Sequence, residues 1–515
     1  MNATLGTAEL QLFQAGIAQR VGLRYDDSKF TFLAEVLGRR LAARHLNAAA
    51  YLAALANGTE GEDEVRALGR ELTVGETYFF RHSEQFNALC GVVLPERTAA
   101  RTDTRTLRLL SVGCATGEEP YTLAILARQH ALEPAFQISI SGIDLNRDSL
   151  DHARRGLYSQ WALRETPADV RERWFKAEER SYRLAPEVRE AVRFHEHNLV
   201  RPHAELFAPE TYDVIFCRNV LMYFTPEHMS EIVQRLTHAL VPGGYLFLGH
   251  AETLRGLSQS FHLCHTHGTF YYQRKDALLP PLQRVGQALK PTTSASPDLD
   301  GKWTDNWLQT VERSTDRIRT LSDSHSEAAA AEAVTPVAPL AGVGAGVSGR
   351  DLREPLALLA SERFSEALVS LQSSNETEAA DPAALLLRAA LLTHQGEVDP
   401  AETTCRQLLQ LDELNAGAHY LLALCFERRE QLAVAAEHAR TAVYLDAGFA
   451  MPHLHLGLMA RRSRDFEGAR RELGQALWLL EREDPARLLL FGGGFTRSAL
   501  LTLCRSELEN LRGAP

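Results

Sequence analysis

No two cysteines in this chain stand at CxxC spacing. The seven present, at positions 90, 114, 217, 264, 405, 425 and 504, are scattered. That excludes a sequence-local dithiol or metal knuckle and predicts free, mostly buried thiols in a reducing cytoplasm. Missing too is any uninterrupted apolar run near the ~20 residues that a bilayer span needs. The opening MNATLGTAELQLF lacks the basic region and apolar core of a secretory signal. A cytoplasmic chain without direct membrane insertion is the expectation. Positive charge is not in surplus either: the formal net charge of −11 argues against nucleic acid as a general partner. The remaining composition, 45% hydrophobic and 23% charged, is that of globular domains, and 515 residues exceed what one hydrophobic core serves.

Residues 8–90 read as a small helical domain. In FTFLAEVLGRRLAARHL the apolar Phe32, Leu33, Val36, Leu37 and Leu41 recur at helical spacing, and AAAYLAALAN stops at Asn57-Gly58. From 91 to 275 the strand-like segments LRLLSV, ISISGID, YDVIFCRNVL and GGYLFLGH alternate with helix-like ones, including EEPYTLAILARQHAL and PEHMSEIVQRLTHAL. Such alternation predicts a parallel sheet with helices on both faces. Residues 157–197 are irregular and charged and read as a small excursion from that sheet. Residues 276–350, rich in Pro, Ala, Gly, Ser and Thr, predict a flexible linker. Trp303, Trp307, Val311 and Ile318 within it fit either a transient helix or a docking segment.

Across 351–485 small residues recur at a fixed interval. Ala389, Ala423 and Gly457 lie 34 apart, as do Ala401, Ala435 and Ala469, and also Leu408, Ala442 and Ala476. A helix–turn–helix repeat needs small residues where its two helices cross closely. The pattern resembles the tetratricopeptide (TPR) repeat, although the usual closing proline and early large aromatic are absent. Residues 486–515 are expected to form a helical cap, and a protein partner for the repeats is implied.

Chemistry concentrates after the first strand. In SVGCATGEEPY, Gly113 and Gly117 flank a loop that a ligand can approach closely, and Glu118 and Glu119 stand where a helix begins. Acids there repel a pyrophosphate and attract a cofactor carrying an ammonium and a sulfonium; a plain tight turn is the simpler reading. Asp144, 31 residues past Gly113 at the end of ISISGID, suits the two hydroxyls of a ribose or a helix N-cap. In YDVIFCRNVLMYF, Arg218 and Asn219 fall at the carboxyl edge of the sheet, where open α/β folds bind ligands. Tyr223 follows one turn later, as a substrate-facing phenol or an ordinary core aromatic.

SVGCATGEEPY, FCRNVLMYF and PGGYLFLGHAE, together with TVGETYFFR upstream, resemble the CheR-type chemoreceptor glutamate methyltransferases over residues 15–274. The resemblance implies an α/β, Rossmann-like S-adenosylmethionine methyltransferase domain preceded by a small all-α domain and followed here by the TPR repeats. It implies S-adenosyl-L-methionine as cofactor and the cytoplasmic domain of a methyl-accepting chemoreceptor as partner. By the same resemblance Thr77 contacts the cofactor, Arg81 lines the catalytic pocket, Glu119 holds the amino group and Asp144 the ribose. Asn198 and Leu199 frame the adenine, Gly113, Arg218 and Asn219 complete the cofactor wall, and Tyr223 faces the substrate glutamate.

Elementary chemistry agrees with those roles. A glutamate with a reference pKa of ~4.3 is already ionised near neutrality, so transfer of a methyl group from a sulfonium to it needs alignment and a dry pocket rather than a base. Arg81 and Tyr223 then orient the carboxylate. Arg39, Arg40, Arg44 and His45, clustered in one helix, either steer an acidic substrate or form a solvated helix face. His262, Cys264, His265 and His267 resemble a metal group in composition, but FHLCHTHGTFYY alternates like a strand, which sends neighbours to opposite faces; no metal is expected. The alternative to an active enzyme is a catalytically weak scaffold that senses S-adenosylmethionine.

Overall fold

A computed structural model describes residues 5–58, 61–73, 75–130, 136–276, 352–361, 363–371 and 381–512. The chain divides into two compact units, Met1–Val285 and Gly286–Pro515. The segment read as a linker, with Trp303, Trp307, Val311 and Ile318, lies outside the described residues. No helix among the described residues is long and apolar enough to cross a membrane.

The first unit opens with helices α1 (Thr7–Arg20), α2 (Phe30–Arg44), α3 (Ala48–Asn57) and α4 (Glu62–Leu72). Their apolar stripes meet in a core of Phe13, Ile17, Leu33, Val36, Leu37, Tyr51 and Leu55, all without solvent exposure. Sequence periodicity placed this stripe correctly because one face of each helix is buried and the other wet.

The arginines of α2 are paired with acids of α4. Arg40 donates to both carboxylate oxygens of Glu64, at 2.8 and 2.7 Å, and Tyr51 donates to the same buried group at 2.8 Å. Arg44 stands 3.6 Å from Glu64, and Arg39 donates to Glu71 at 2.6 Å. These ion pairs clamp α2 to α4, with Arg40 largely buried and Arg39 and Arg44 54% and 46% exposed. The acids that pair with them sit on another helix, which reading one helix at a time does not reveal.

Helical backbone continues from α5 (Ser83–Ala88) through a π-turn at Leu89–Val93 into α6 (Leu94–Ala100). A domain boundary read at 90 falls inside this run. Then come β1 (Thr106–Val112), α7 (Glu118–Gln129), β2 (Gln137–Asp144) and α8 (Arg147–Arg155). The excursion that follows is more ordered than its irregular sequence implied. It holds β3 (Leu157–Tyr158), α9 (Ala168–Trp174), β4 (Phe175–Glu178), β5 (Ser181–Leu184) and α10 (Pro186–Arg189). The strands form a separate antiparallel sheet in the order β3-β5-β4. Pieces of two to four residues are too short to show alternation.

The main sheet adds β6 (Val192–Glu196), β7 (Tyr212–Cys217), β8 (Leu240–Leu248), β9 (Phe261–Thr266) and β10 (Thr269–Arg274), with α11 (Pro226–Ala239) between β7 and β8. Its order is β6-β2-β1-β7-β8-β10-β9. Five neighbours run parallel from β6 to β8, while β10 is antiparallel to both β8 and β9. His262, Cys264 and His265 thus lie on a terminal hairpin, with His267 in its turn. Phe86, Phe216, Phe247 and Tyr271 stack in a row across the sheet, with centroids 5.7, 4.4 and 5.1 Å apart. Asp213, at the start of β7 and 1% exposed, binds α6 to the sheet by accepting from Arg97 at 3.0 Å and Arg101 at 2.8 Å.

The second unit contains α12 (Arg353–Ala360), α13 (Phe364–Ser370), α14 (Pro382–Gln395), α15 (Val398–Leu411), α16 (Ala416–Arg428), α17 (Leu432–Leu445), α18 (Ala450–Arg462), α19 (Phe466–Leu480), α20 (Pro485–Phe491) and α21 (Arg497–Arg512). The helices α14 to α19 pack as three successive hairpins at the 34-residue interval. The recurring small residues sit where helices cross: Ala389, Ala423, Ala401, Ala435 and Ala469 have no exposure. A Cβ on Gly457 would come within 2.6 Å of Leu473 on the paired helix. Helix α20 lies against the repeats, with Phe491 4.9 Å from Phe449 and 6.0 Å from Tyr420, centroid to centroid.

Candidate functional site

Strand order reverses between β1 and β7, the place where doubly wound sheets open a crevice for ligands. A cavity of about 250 Å³ occupies it, lined by Thr77, Arg81, Gly113, Glu119, Arg218, Asn219 and Tyr223 among others. Seven of the residues expected from the sequence are thereby gathered into one chamber.

The chamber is built from bent backbone. Gly113 and Gly117 adopt φ of +69° and +91°, and a Cβ on Gly113 would lie 2.3 Å from Val220. Four non-glycine residues around it, Phe80, His82, Ala115 and Asn219, also have φ between 46° and 62°. Left-handed backbone at non-glycine residues costs energy and collects where surrounding structure enforces a site.

Glu119 faces inward from the first turn of α7. Its carboxylate accepts from Ser111 Oγ at 2.7 Å and from Arg218 Nη1 at 3.1 Å. Burial pushes its carboxyl above the ordinary range, with the Arg218 guanidinium opposing. Arg218, 7% exposed, gives Nη2 to the Arg81 carbonyl at 2.6 Å, while its buried Nε has no hydrogen-bond partner among the described residues. Among the described residues Arg81 donates only to the Glu76 carbonyl, at 2.9 Å, leaving most of its fork open to the chamber. Beside them, burial and then His250 hold His82 down at about 4, so it is neutral near pH 7.

Asp144 anchors two backbone turns at the carboxyl end of β2 rather than capping the helix that follows. Its Oδ2 accepts from the Ala115 N–H at 2.8 Å, fixing the glycine loop, and its Oδ1 accepts from Asn146 at 2.7 Å. The N-cap of α8 is Asn146. Burial raises the Asp144 carboxyl, against those backbone N–H groups. It stands next to the chamber, touching the Ala115 that lines it. Asn198 and Leu199 are not among the lining residues. The Asn198 amide donates to the Arg20 carbonyl at 3.2 Å and accepts from Val200 at 3.2 Å, so it is spent on joining α1 to the sheet. Leu199 is buried, its carbonyl taken by Arg235.

The loop carrying Asn219 and Tyr223 is held by a residue that sequence reasoning did not single out. Glu252, 5% exposed, accepts four backbone N–H groups: Asn219 at 2.7 Å and Gly249 at 2.8 Å on Oε2, Val220 at 2.9 Å and Met222 at 3.3 Å on Oε1. Its signal was the acid ending PGGYLFLGHAE, visible as a motif and silent about partners 30 residues away. From the other side the Arg24 N–H donates to the Tyr223 carbonyl at 2.7 Å, and Leu23 pairs with Phe224. Tyr223 itself is 42% exposed at the mouth.

A doubly wound sheet with an acid on the first helix turn, an acid closing β2 and a chamber at the switch point defines a Rossmann-like methyltransferase. A family model for the SAM-binding domain of CheR methyltransferases matches residues 75–270. Chemotaxis protein methyltransferase 2 of Vibrio cholerae is 33% identical over 249 residues, 48% of this chain and 85% of that protein. A probable biofilm formation methyltransferase, WspC, of Pseudomonas putida is 29% identical over 415 residues, 80% of this chain and 85% of that one. The crystal structure of a thermophilic TPR protein from Thermus thermophilus is similar at 22% identity and a TM-score of 0.24, covering 31% of this chain and 93% of that one. The chain belongs to the CheR methyltransferase family. It is an S-adenosylmethionine-dependent enzyme that methylates protein glutamates.

Proposed function

We propose that the chamber at the β1–β7 switch point transfers methyl groups to glutamates on the cytoplasmic domain of a methyl-accepting chemoreceptor, and that the enzyme acts in the cytoplasm. One observation carries this reading: Glu119, Arg218, Arg81 and Tyr223 converge on a single chamber that holds an acid paired with Arg218 and a second arginine, Arg81, with no ion pair among the described residues.

The residues present fit the donor. S-adenosylmethionine, when bound, supplies an electrophilic methyl carbon on a sulfonium, alongside an ammonium and a carboxylate. Glu119 is placed to hold the ammonium, and the unpartnered Nε of Arg218 and the fork of Arg81 suit acceptor oxygens. Asp144 keeps lone pairs for ribose hydroxyls beyond the two N–H groups it already serves. Thr77, Gly113 and Asn219 complete the wall. Asn198 and Leu199 take a supporting part, holding the helical domain against the adenine end rather than contacting the ligand through the Asn198 amide.

Arg81 and Tyr223 orient the incoming carboxylate. Arg81 offers charge-assisted donors in a fixed plane, and the Tyr223 phenol a further one. No group has to remove a proton, because the glutamate arrives ionised. The walls exclude water that would otherwise stabilise the separated charges. The match to WspC, which extends beyond the catalytic unit, supports a receptor pathway in biofilm formation, with the repeats binding a protein of that pathway.

Incubation with methyl-labelled S-adenosylmethionine and purified receptor cytoplasmic domains tests the reading. Base-labile label on glutamate is the expected result. Tight donor binding with no label on any receptor domain would instead identify a sensing scaffold.

A further inference from the structure

Trp161 is 70% exposed, the most exposed tryptophan among the described residues. Its position is not accidental. The Arg164 guanidinium carbon lies 4.2 Å from the Trp161 ring and 3.6 Å from the centroid of Tyr78, and Tyr78 lines the chamber. Arg81 stands on the same Tyr78 ring at 5.6 Å. The four side chains therefore form a ladder, Arg81–Tyr78–Arg164–Trp161, running from the chamber to the surface. Backbone secures it: the Phe79 N–H donates to the Ala162 carbonyl at 3.0 Å, and Phe79 packs edge-on against Tyr158 and Phe175 of the small sheet. Across the mouth stand Met222, 55% exposed, and Tyr223.

Neither cation of the ladder makes an ion pair among the described residues. Arg164 donates to the Trp161 carbonyl at 2.8 Å. The acid next in sequence, Glu165, is engaged by the Tyr78 hydroxyl. An arginine stacked between two rings keeps its fork edge free for a carboxylate and is already ordered, so little entropy is lost on binding. The two guanidinium carbons share a ring and are at most about 9 Å apart, which a helix bridges in one to two turns at its rise of ~1.5 Å per residue.

We propose that Trp161 and Arg164 form a docking ladder for the protein substrate: with the methyl-accepting glutamate at Arg81, a second acidic side chain one or two turns along the same helix is taken by Arg164, and an apolar neighbour rests on Trp161. This rests on the protein-glutamate reading and names what that site selects. The occupant is an acidic amphipathic helix, chosen by charge complementarity to two open arginines flanked by exposed rings.

The test uses the full chain and two synthetic helical peptides, one with a single glutamate and one with a second glutamate at the matching position. Methylation rates are measured against peptide concentration, and donor affinity by calorimetry. With the parent enzyme the second glutamate should lower KM roughly three- to ten-fold. In Arg164→Gln that advantage should vanish, with kcat and donor affinity unchanged. Trp161→Ala should raise KM for both peptides, and Trp161→Phe should restore most of it. An advantage that persists in Arg164→Gln, or a KM indifferent to Trp161→Ala, overturns the ladder while leaving the enzyme's activity intact. A parent enzyme that labels neither these peptides nor any receptor domain overturns the underlying reading and the ladder with it.

Discussion

Replacing Glu252 with glutamine tests whether the Tyr223 loop is held by one carboxylate. Glutamine keeps the shape and one oxygen, so two of the four backbone N–H groups retain an acceptor. The other two then face an amide NH2, which donates and cannot accept. A buried donor stripped of its partner costs about 1–3 kcal/mol, so the loop loses about 2–6 kcal/mol in the geometry that presents Asn219, Met222 and Tyr223. If about 3 kcal/mol of this falls on the transition state, kcat drops roughly a hundred-fold. Initial rates with labelled donor at saturating receptor domain give kcat, and circular dichroism melting shows whether the fold survives. Glu252→Asp, shorter but still able to accept from several groups, should recover part of the rate. A glutamine variant within three-fold of the parent kcat, with normal melting, would refute the claim that this carboxylate sets the loop.

Arg81→Ala should cost roughly a hundred-fold in kcat, the loss of about 3 kcal/mol of charge-assisted hydrogen bonding to the carboxylate, whereas Tyr223→Phe should cost about five-fold; equal, small effects would remove Arg81 from its role. Arg40→Glu should lower the melting temperature and leave receptor KM unchanged, because a largely buried pair with Glu64 is broken at about 3–5 kcal/mol; a raised KM with normal melting would restore the steering role. In the repeats, His419 and His438 are buried with their Nδ1 atoms 3.0 Å apart. His419 Nε2 faces the Glu413 carbonyl at 3.3 Å, so His419 carries its proton on Nε2 and His438 donates from Nδ1. Burial holds them at about 4 and about 3, below the unfolded 6.5. The unfolded chain therefore takes up protons first, and stability is full above about pH 6.5 and falls as pH drops toward 4. Denaturant unfolding of the full chain should show the repeat transition weaken by about 2 kcal/mol per histidine between pH 7 and pH 5; a flat profile would contradict the pairing.

Much of this site was legible before any coordinates. The glycine turn, Glu119, Asp144, Arg218-Asn219 and Tyr223 lie at or just beyond the carboxyl ends of β1, β2 and β7, and in a doubly wound sheet every strand end at the carboxyl edge faces the same crevice. Local order along the chain thus becomes neighbourhood in space. The repeats were legible for a related reason, since close helix crossings demand small residues at a constant interval. What sequence left dark depends on partners far along the chain. Arg40 looked like an open charge because Glu64 lies on another helix. The Asn198 bond that ties the end of α1 to the sheet spans 178 residues. Glu252 carries no mark that distinguishes a buried clamp from a surface acid.

The bonds from Leu23 and Arg24 to the Tyr223 loop change how the front of the molecule should be regarded. The leading helices brace the phenol at the mouth. Shortening the chain to begin at residue 30 would remove that brace along with α1, leaving the sheet its own core but the entrance ajar.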